Sequence, residues 1–213
     1  MATKRDGLPA FWSTHLAKVL VGDQPCLLAP WLSGHFTLDK AQRDQSSLAV
    51  WKANHSAQLA QAMERYRAAG ATCDVERYFK VTGQTAILSG KVDLVVQQTD
   101  KRPLIVDVKS GKPKDSDVAQ VMIEIIAVPL AWESRMTFDG LVIYADHVVN
   151  IPNAEALELR PRLFELLKKL GTMSRPTASP SESACWFCEV GDLECPDRWK
   201  TSAGAAQATT ALF

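Results

Sequence analysis

Two aspartates stand inside apolar runs where a carboxylate is costly. Asp93 lies in Val92-Asp93-Leu94-Val95-Val96, and Asp107 follows Leu104-Ile105-Val106. A buried carboxylate is tolerated when it is paired or coordinates a metal. If the two runs form a hairpin folded symmetrically about residue 100, positions 93 and 107 face each other. Opposed residues have Cβ atoms roughly 4.5–5.5 Å apart. Two carboxylates held that close repel unless a cation sits between them. Lys109 follows Asp107 by two positions and so shares its strand face. An ammonium there can position a water nucleophile or stabilise the charge developing on a phosphorane. Singly, each acid reads as a strand end and Lys109 as a salt-bridge partner. Together the three read as a divalent-metal site for phosphodiester hydrolysis.

The cysteines form a second constellation. Cys185-Trp186-Phe187-Cys188 is followed by Cys195-Pro196. A CxxC turn points two thiolates at one ion or cluster, and a third cysteine leaves a tetrahedral site one ligand short. Cys26 is the leading candidate for the fourth ligand and Cys73 the second. Cys73 otherwise reads as a small buried hydrophobe. Five cysteines in a chain with no secretory features favour metal or reactive roles over a disulfide framework.

Several elements must position these residues. The spacing of Leu48, Trp51, His55, Leu59 and Met63 predicts a helix over 48–69, with Gly70 as its stop. A shorter helix is expected over 11–21, after which Pro25, Pro30 and Gly34 interrupt the pattern. Strands are expected at 75–81, 86–96 and 103–108, then a helix over 118–132 disturbed near its end by Pro129. Short strands at 141–145 and 148–151 and a helix over 154–170 follow. The expected organisation is an N-terminal segment (1–47) with one cluster cysteine, a core (48–172), a linker and cysteine segment (173–199), and a flexible tail (200–213).

The motif order resembles the PD-(D/E)XK nuclease superfamily, and within it the RecB-like nucleases. There a Gly-x-x-Asp strand precedes an apolar strand ending in Asp/Glu-x-Lys. Here Gly90-Lys91-Val92-Asp93 precedes Asp107-Val108-Lys109. The resemblance spans roughly residues 12 to 199. It implies an α/β, restriction-endonuclease-like core with a central mixed sheet flanked by helices. It also implies that His55, Asp93, Asp107 and the Val108 carbonyl bind Mg²⁺ or Mn²⁺, with Lys109 and Gln120 assisting catalysis. His55 alone would read as a core residue. Family members often carry a tyrosine four residues after that glutamine, and position 124 is Glu. Glu76 starts an earlier strand and reads first as a solvated edge charge, with approach to the site as the alternative. Some RecB-like nucleases, including AddB-type subunits and the small nuclease of CRISPR spacer acquisition, hold a [4Fe-4S] cluster on one early and three late cysteines. By resemblance Cys26, Cys185, Cys188 and Cys195 would do so here, stapling the chain ends; zinc is the alternative occupant. The implied activity is a single-strand-preferring DNA exonuclease in CRISPR adaptation or DNA repair, with DNA ends as substrate and an integrase or helicase as partner. The rival is an inactive DNA-binding or partner-binding module with a structural metal site.

Composition narrows the field further. The 213 residues are 46% hydrophobic and 23% charged, with net charge zero, which disfavours a non-specific nucleic-acid coat but not a local basic groove. No run of apolar residues is long enough to span a membrane. The N-terminal MATKRDGLPAFW lacks the apolar stretch of a secretory signal, so a cytoplasmic protein is expected. Gly83 to Val92 superficially imitates a phosphate-binding loop. The spacing to Gly90-Lys91 is too long and Val92 replaces Ser or Thr, so the chain is expected to carry no nucleotide motor. His15, His35 and His147 have no matching ligands nearby in sequence. The six tryptophans can stack on unpaired bases, but most read as core or interface residues, and Trp186 and Trp199 as packing on the cysteine segment.

Overall fold

The computed structural model describes residues 2–38, 45–186 and 188–199. The flexible tail expected over 200–213 lies outside the described residues. In chain order the elements are β1 (Thr3–Lys4), β2 (Ala10–Trp12), α1 (Ser13–Val21), α2 (Leu28–His35), β3 (Phe36–Thr37) and α3 (Gln45–Ala68). They continue with β4 (Thr72–Thr82), β5 (Ile87–Gln97), β6 (Leu104–Val108), α4 (Asp115–Ala131), β7 (Asp139–Ile143), β8 (Val148–Ile151), α5 (Asn153–Thr172) and α6 (Glu182–Trp186).

β5 organises a six-stranded mixed sheet. β4 runs antiparallel along one of its edges, from Thr72↔Gln97 to Thr82↔Ile87. Its other edge is shared. β2 pairs parallel with residues 87–89, and β6 pairs antiparallel with residues 94–96. Gly90 to Asp93 are left between them with no strand on that side. β6 continues in parallel to β7, and β7 antiparallel to β8. β2, from the N-terminal segment, therefore lies in the same sheet as the strands of the core. β1 and β3 form a separate two-stranded ribbon.

The sheet is covered on both faces. One core joins Leu16 of α1, Val121 and Ile125 of α4, and Leu163 and Leu170 of α5 to Leu88, Val92 and Ile105 of the sheet. The other packs Leu59 and Ala62 of α3 on Leu94, Val96, Val106 and Val108. Val92 and Leu94 are two apart in one strand, which ordinary alternation would place on the same face. They lie in opposite cores instead. The reversal falls at Asp93. Its position opposite on β4 is Glu76, which is skipped in the ladder and has φ +52°. Cys73 packs with the α3 core and Phe79 with the other, so β4 reverses at the same point.

Several sequence expectations need adjustment. Phe11 lies in β2, and the first helix starts at Ser13. α2 forms despite Pro30 and Gly34. Pro30 falls in its first turn, where a backbone N–H would have no helical partner. Gly34 admits the Phe11 ring, which a Cβ would meet at 2.2 Å. The helix expected from 118 begins at Asp115. Asp117 accepts the Lys114 N–H at 3.2 Å, and two first-turn acids complement the helix dipole. α3 ends as expected, with Gly70 at φ +80°. The phosphate-loop imitation forms part of β5.

Candidate active site

The β5–β6 register matches a hairpin folded about residue 100: Leu94 faces Val106 and Val96 faces Leu104. The ladder stops one pair short of Asp93 and Asp107. In place of that rung, the Val108 N–H donates to Asp93 Oδ2 at 3.1 Å. His55 of α3 places Nε2 3.7 Å from Asp93 Oδ1. Three residues before Asp93, Gly90 admits the Phe79 ring and Ser13, since a Cβ there would meet the ring at 2.5 Å and Ser13 Oγ at 2.6 Å.

Asp107 faces Gln120 of α4 and is 2% exposed. Its Oδ1 accepts from Lys109 Nζ at 3.2 Å and from Gln120 Nε2 at 3.0 Å. Its Oδ2 lies 2.9 Å from the ammonium but completes no hydrogen bond. Gln120 accepts from Lys109 through Oε1 at 3.1 Å and donates a second time to Glu124 Oε1 at 3.0 Å. Residues 120 and 124 share one helix face. Glu124 is fully buried, and its Oε2 has no partner among protein atoms. Asp117 stands 4.0 Å from Lys109 Nζ and accepts from the Tyr144 hydroxyl at 3.1 Å.

The electrostatics follow from burial. Desolvation pushes the Asp107 carboxyl up to about 7, against the pull of Lys109. Desolvation, reinforced by the Asp107 charge, holds the Glu124 carboxyl far above the usual carboxylate range. Burial opposes the charge on Lys109, but Asp107, Asp117 and Asp93 together keep its pKa above the ordinary lysine value. Burial and Asp117 push Tyr144 up to about 12.

One open cavity of about 670 Å³ brings together His55, Asp93, Asp107, Val108, Lys109 and Gln120. All the residues expected for catalysis or metal binding thus meet there. Among the described residues, no three His, Cys, Asp or Glu side chains converge at the spacing of a single-ion site. The ammonium of Lys109 engages the Asp107 oxygens instead. The donor set is nevertheless mainly oxygen, two carboxylates of which Asp107 has an orphaned buried Oδ2, with one imidazole beside them, and suits Mg²⁺ or Mn²⁺. Glu76 is an exposed edge charge, as expected, and it also lines the same cavity. It pairs with Lys91 at 2.6 Å, and that bond draws its carboxyl below the usual range. Asp117, Tyr144 and Glu124 were missed as site residues because their approach depends on how α4 lies across the sheet.

The cysteine expectation gives a similar result. Cys26, Cys185, Cys188 and Cys195 line one cavity of about 20 Å³, and all are free thiols. They also fall short of single-ion spacing. Burial raises the Cys188 thiol, and burial together with Cys26 and Cys188 raises Cys195. Backbone N–H groups of Ser179 and Trp199 point at Cys26 Sγ and Cys185 Sγ, both at 3.4 Å. The all-sulfur donor set suits an iron–sulfur cluster or zinc. Cys73 is elsewhere, with its Sγ against the Met63 carbonyl at 3.9 Å. His35 stacks on Trp31 and bonds the Leu170 carbonyl at 3.0 Å, a packing role. His147 pairs with Asp146.

A profile of the PD-(D/E)XK nuclease superfamily matches residues 28–193. No curated protein sequence matches the chain. Among solved structures, the crystal structure of SSO0001 aligns over 93% of this chain and 90% of that chain, with a TM-score of 0.47 and 12% identity. No helix among the described residues is long and apolar enough to cross a membrane. The chain belongs to the PD-(D/E)XK nuclease superfamily.

Proposed function

We propose that this superfamily member is a RecB-like, Mg²⁺- or Mn²⁺-dependent deoxyribonuclease with a structural [4Fe-4S] cluster. The observation that carries the reading is the meeting of Asp93, Asp107, Lys109 and Gln120 in one cavity with His55 beside Asp93. His55, Asp93, Asp107 and the Val108 carbonyl would hold the ion. A bound ion supplies a water of lowered pKa and neutralises charge on the phosphate. The chain's own residues do the rest. The Val108 N–H fixes the Asp93 carboxylate. Gln120 bridges Asp107 and Lys109, donating to the one and accepting from the other. Lys109 keeps its proton and offers a fixed positive charge to a phosphate oxygen.

Cys26, Cys185, Cys188 and Cys195 would hold the cluster and tie the segment before α2 to the segment after α6. The substrate is single-stranded DNA or DNA ends, cut as an exonuclease in CRISPR adaptation or DNA repair, beside an integrase or helicase. The test is incubation of the purified chain with labelled single-stranded DNA and Mn²⁺, with Asp107→Ala as control. Metal-dependent cleavage that vanishes in the variant supports the reading. Binding without cleavage replaces it with a DNA-binding module. Anaerobic purification yields brown protein with broad visible absorption for a cluster and colourless protein for zinc.

A further inference from the structure

Three large aromatic side chains remain exposed around this cavity without a packing role that accounts for them. Trp12 is 43% exposed, Trp51 52% and Tyr78 67%. Trp12 ends β2, beside Ser89 of β5 and next to the uncovered stretch that carries Asp93. Tyr78 meets its ring edge-on, with centroids 6.5 Å apart. Trp51 stands one helical turn before His55 and stacks on that imidazole at 5.4 Å and 11°. Trp12 and Trp51 both line the cavity that holds Asp93 and Asp107, one from β2 and one from α3. Their outer faces are wet, at a cost that scales with apolar area.

Lysines are at hand for a nucleic-acid backbone, beside the acids Glu76, Asp93, Asp107 and Asp117 of the same cavity, with Lys91 held by Glu76 at 2.6 Å. Lys52, Lys91, Lys112 and Lys114 line the same cavity, and Lys91 Nζ lies 6.0 Å from the Tyr78 ring centre. Aromatic faces interleaved with lysines bind unpaired strands, since every base has a face to stack and every linkage a phosphate. A duplex offers neither ring a face, because its bases already stack on one another.

We infer that Trp12, braced by Tyr78, and Trp51 are base-stacking contacts that make the cleft selective for a strand whose bases are unpaired beside the scissile phosphate. The inference rests on the nuclease reading for the word scissile, but not for the stacking. Trp51 has a second effect through His55: a base stacked on its outer face would continue an indole–imidazole stack. Trp12 acts only on the strand.

The test uses the full chain in EDTA, so that binding is read without cleavage. The probes are a labelled oligothymidylate, an abasic oligonucleotide of equal length, and a duplex. The expected result is tighter binding of the thymidylate than of the abasic strand or the duplex, by about tenfold or more. Trp12→Ala and Trp51→Ala each lose about tenfold on thymidylate and less than about twofold on the abasic strand. Trp12→Phe and Trp51→Phe, which keep a ring at each site, retain most of the affinity. Equal affinity for thymidylate and abasic strands, equal losses on both, or no binding of either overturns the inference. A chain that stacks bases but cuts nothing with Mn²⁺ sinks the nuclease reading and leaves the stacking intact.

Discussion

The Val108 N–H donates to Asp93 Oδ2 at 3.1 Å, at the level where the β5–β6 ladder would otherwise form its next rung. A side chain thus replaces a backbone pair, and the acid is structural as well as chemical. Asp93→Asn keeps an acceptor for that N–H, whereas Asp93→Ala leaves it buried and unpaired, at a cost of about 1–3 kcal/mol. Thermal unfolding should show Asp93→Asn melting near the parent and Asp93→Ala several degrees lower. Both should lose metal-dependent cleavage.

Lys109 and Gln120 divide their roles differently. Lys109→Met removes the charge offered to the phosphate and should lower the cleavage rate by about 10²–10³-fold. Gln120→Ala frees both Lys109 and Asp107 and should lower it by about tenfold or more, since positioning rather than charge is lost. Rates measured at saturating Mn²⁺ separate these effects from weakened metal binding.

Asp107 and Glu124 make stability depend on pH. Both carboxyls are raised in the fold, Asp107 to about 7. Between about pH 4 and 7 the folded chain therefore holds more protons than the unfolded one, and stability falls as pH rises through that window. The metal-free protein should melt at a higher temperature at pH 5 than at pH 8. Glu124→Gln keeps an acceptor for Gln120 and removes the ionisable group. It should raise the melting temperature at pH 8 and leave it nearly unchanged at pH 5. A larger gain at pH 5 would contradict the burial argument.

Gly90 is required by packing. A Cβ would sit 2.5 Å from the Phe79 ring. Gly90→Ala should cost about 1–3 kcal/mol by overpacking. Combining it with Phe79→Leu should recover part of that loss, as a denaturant titration of the double variant would show.

Cys26→Ser tests the sulfur cavity. It should reduce bound iron and visible absorption and lower the melting temperature, whereas Cys73→Ser should leave the iron content unchanged. Iron retained in full by Cys26→Ser would remove that residue from the ligand set.

Much of this site was legible because it rests on local sequence. The acids in apolar runs signalled paired or ligating carboxylates, and the turn near residue 100 set the register that brings positions 93 and 107 together. The helix carrying His55 announced itself by its periodicity. The rest needed the third dimension. The reversal of β5 and β4 at Asp93 and Glu76 breaks the two-residue alternation that strand reading assumes. α2 was hidden by a proline that is harmless only in a first turn. Glu124 looked like a substituted tyrosine, and its burial beside Gln120 follows from the seating of α4 on the sheet. Trp51 fell on the periodic face of its helix, and nothing local shows that its ring overhangs the cavity.

The shared edge of β5 has one more result. Strand borders with free amides and carbonyls recruit other chains into unwanted sheets. Here the free border is only Gly90 to Asp93, stopped at one end by β2 and at the other by β6. That slot is too short for a foreign strand to dock, and it lies beside the cavity that holds Asp93 and Asp107. At this edge of β5 the sheet thereby offers little foothold for another strand, while Lys91 and Asp93 line the cavity beside it.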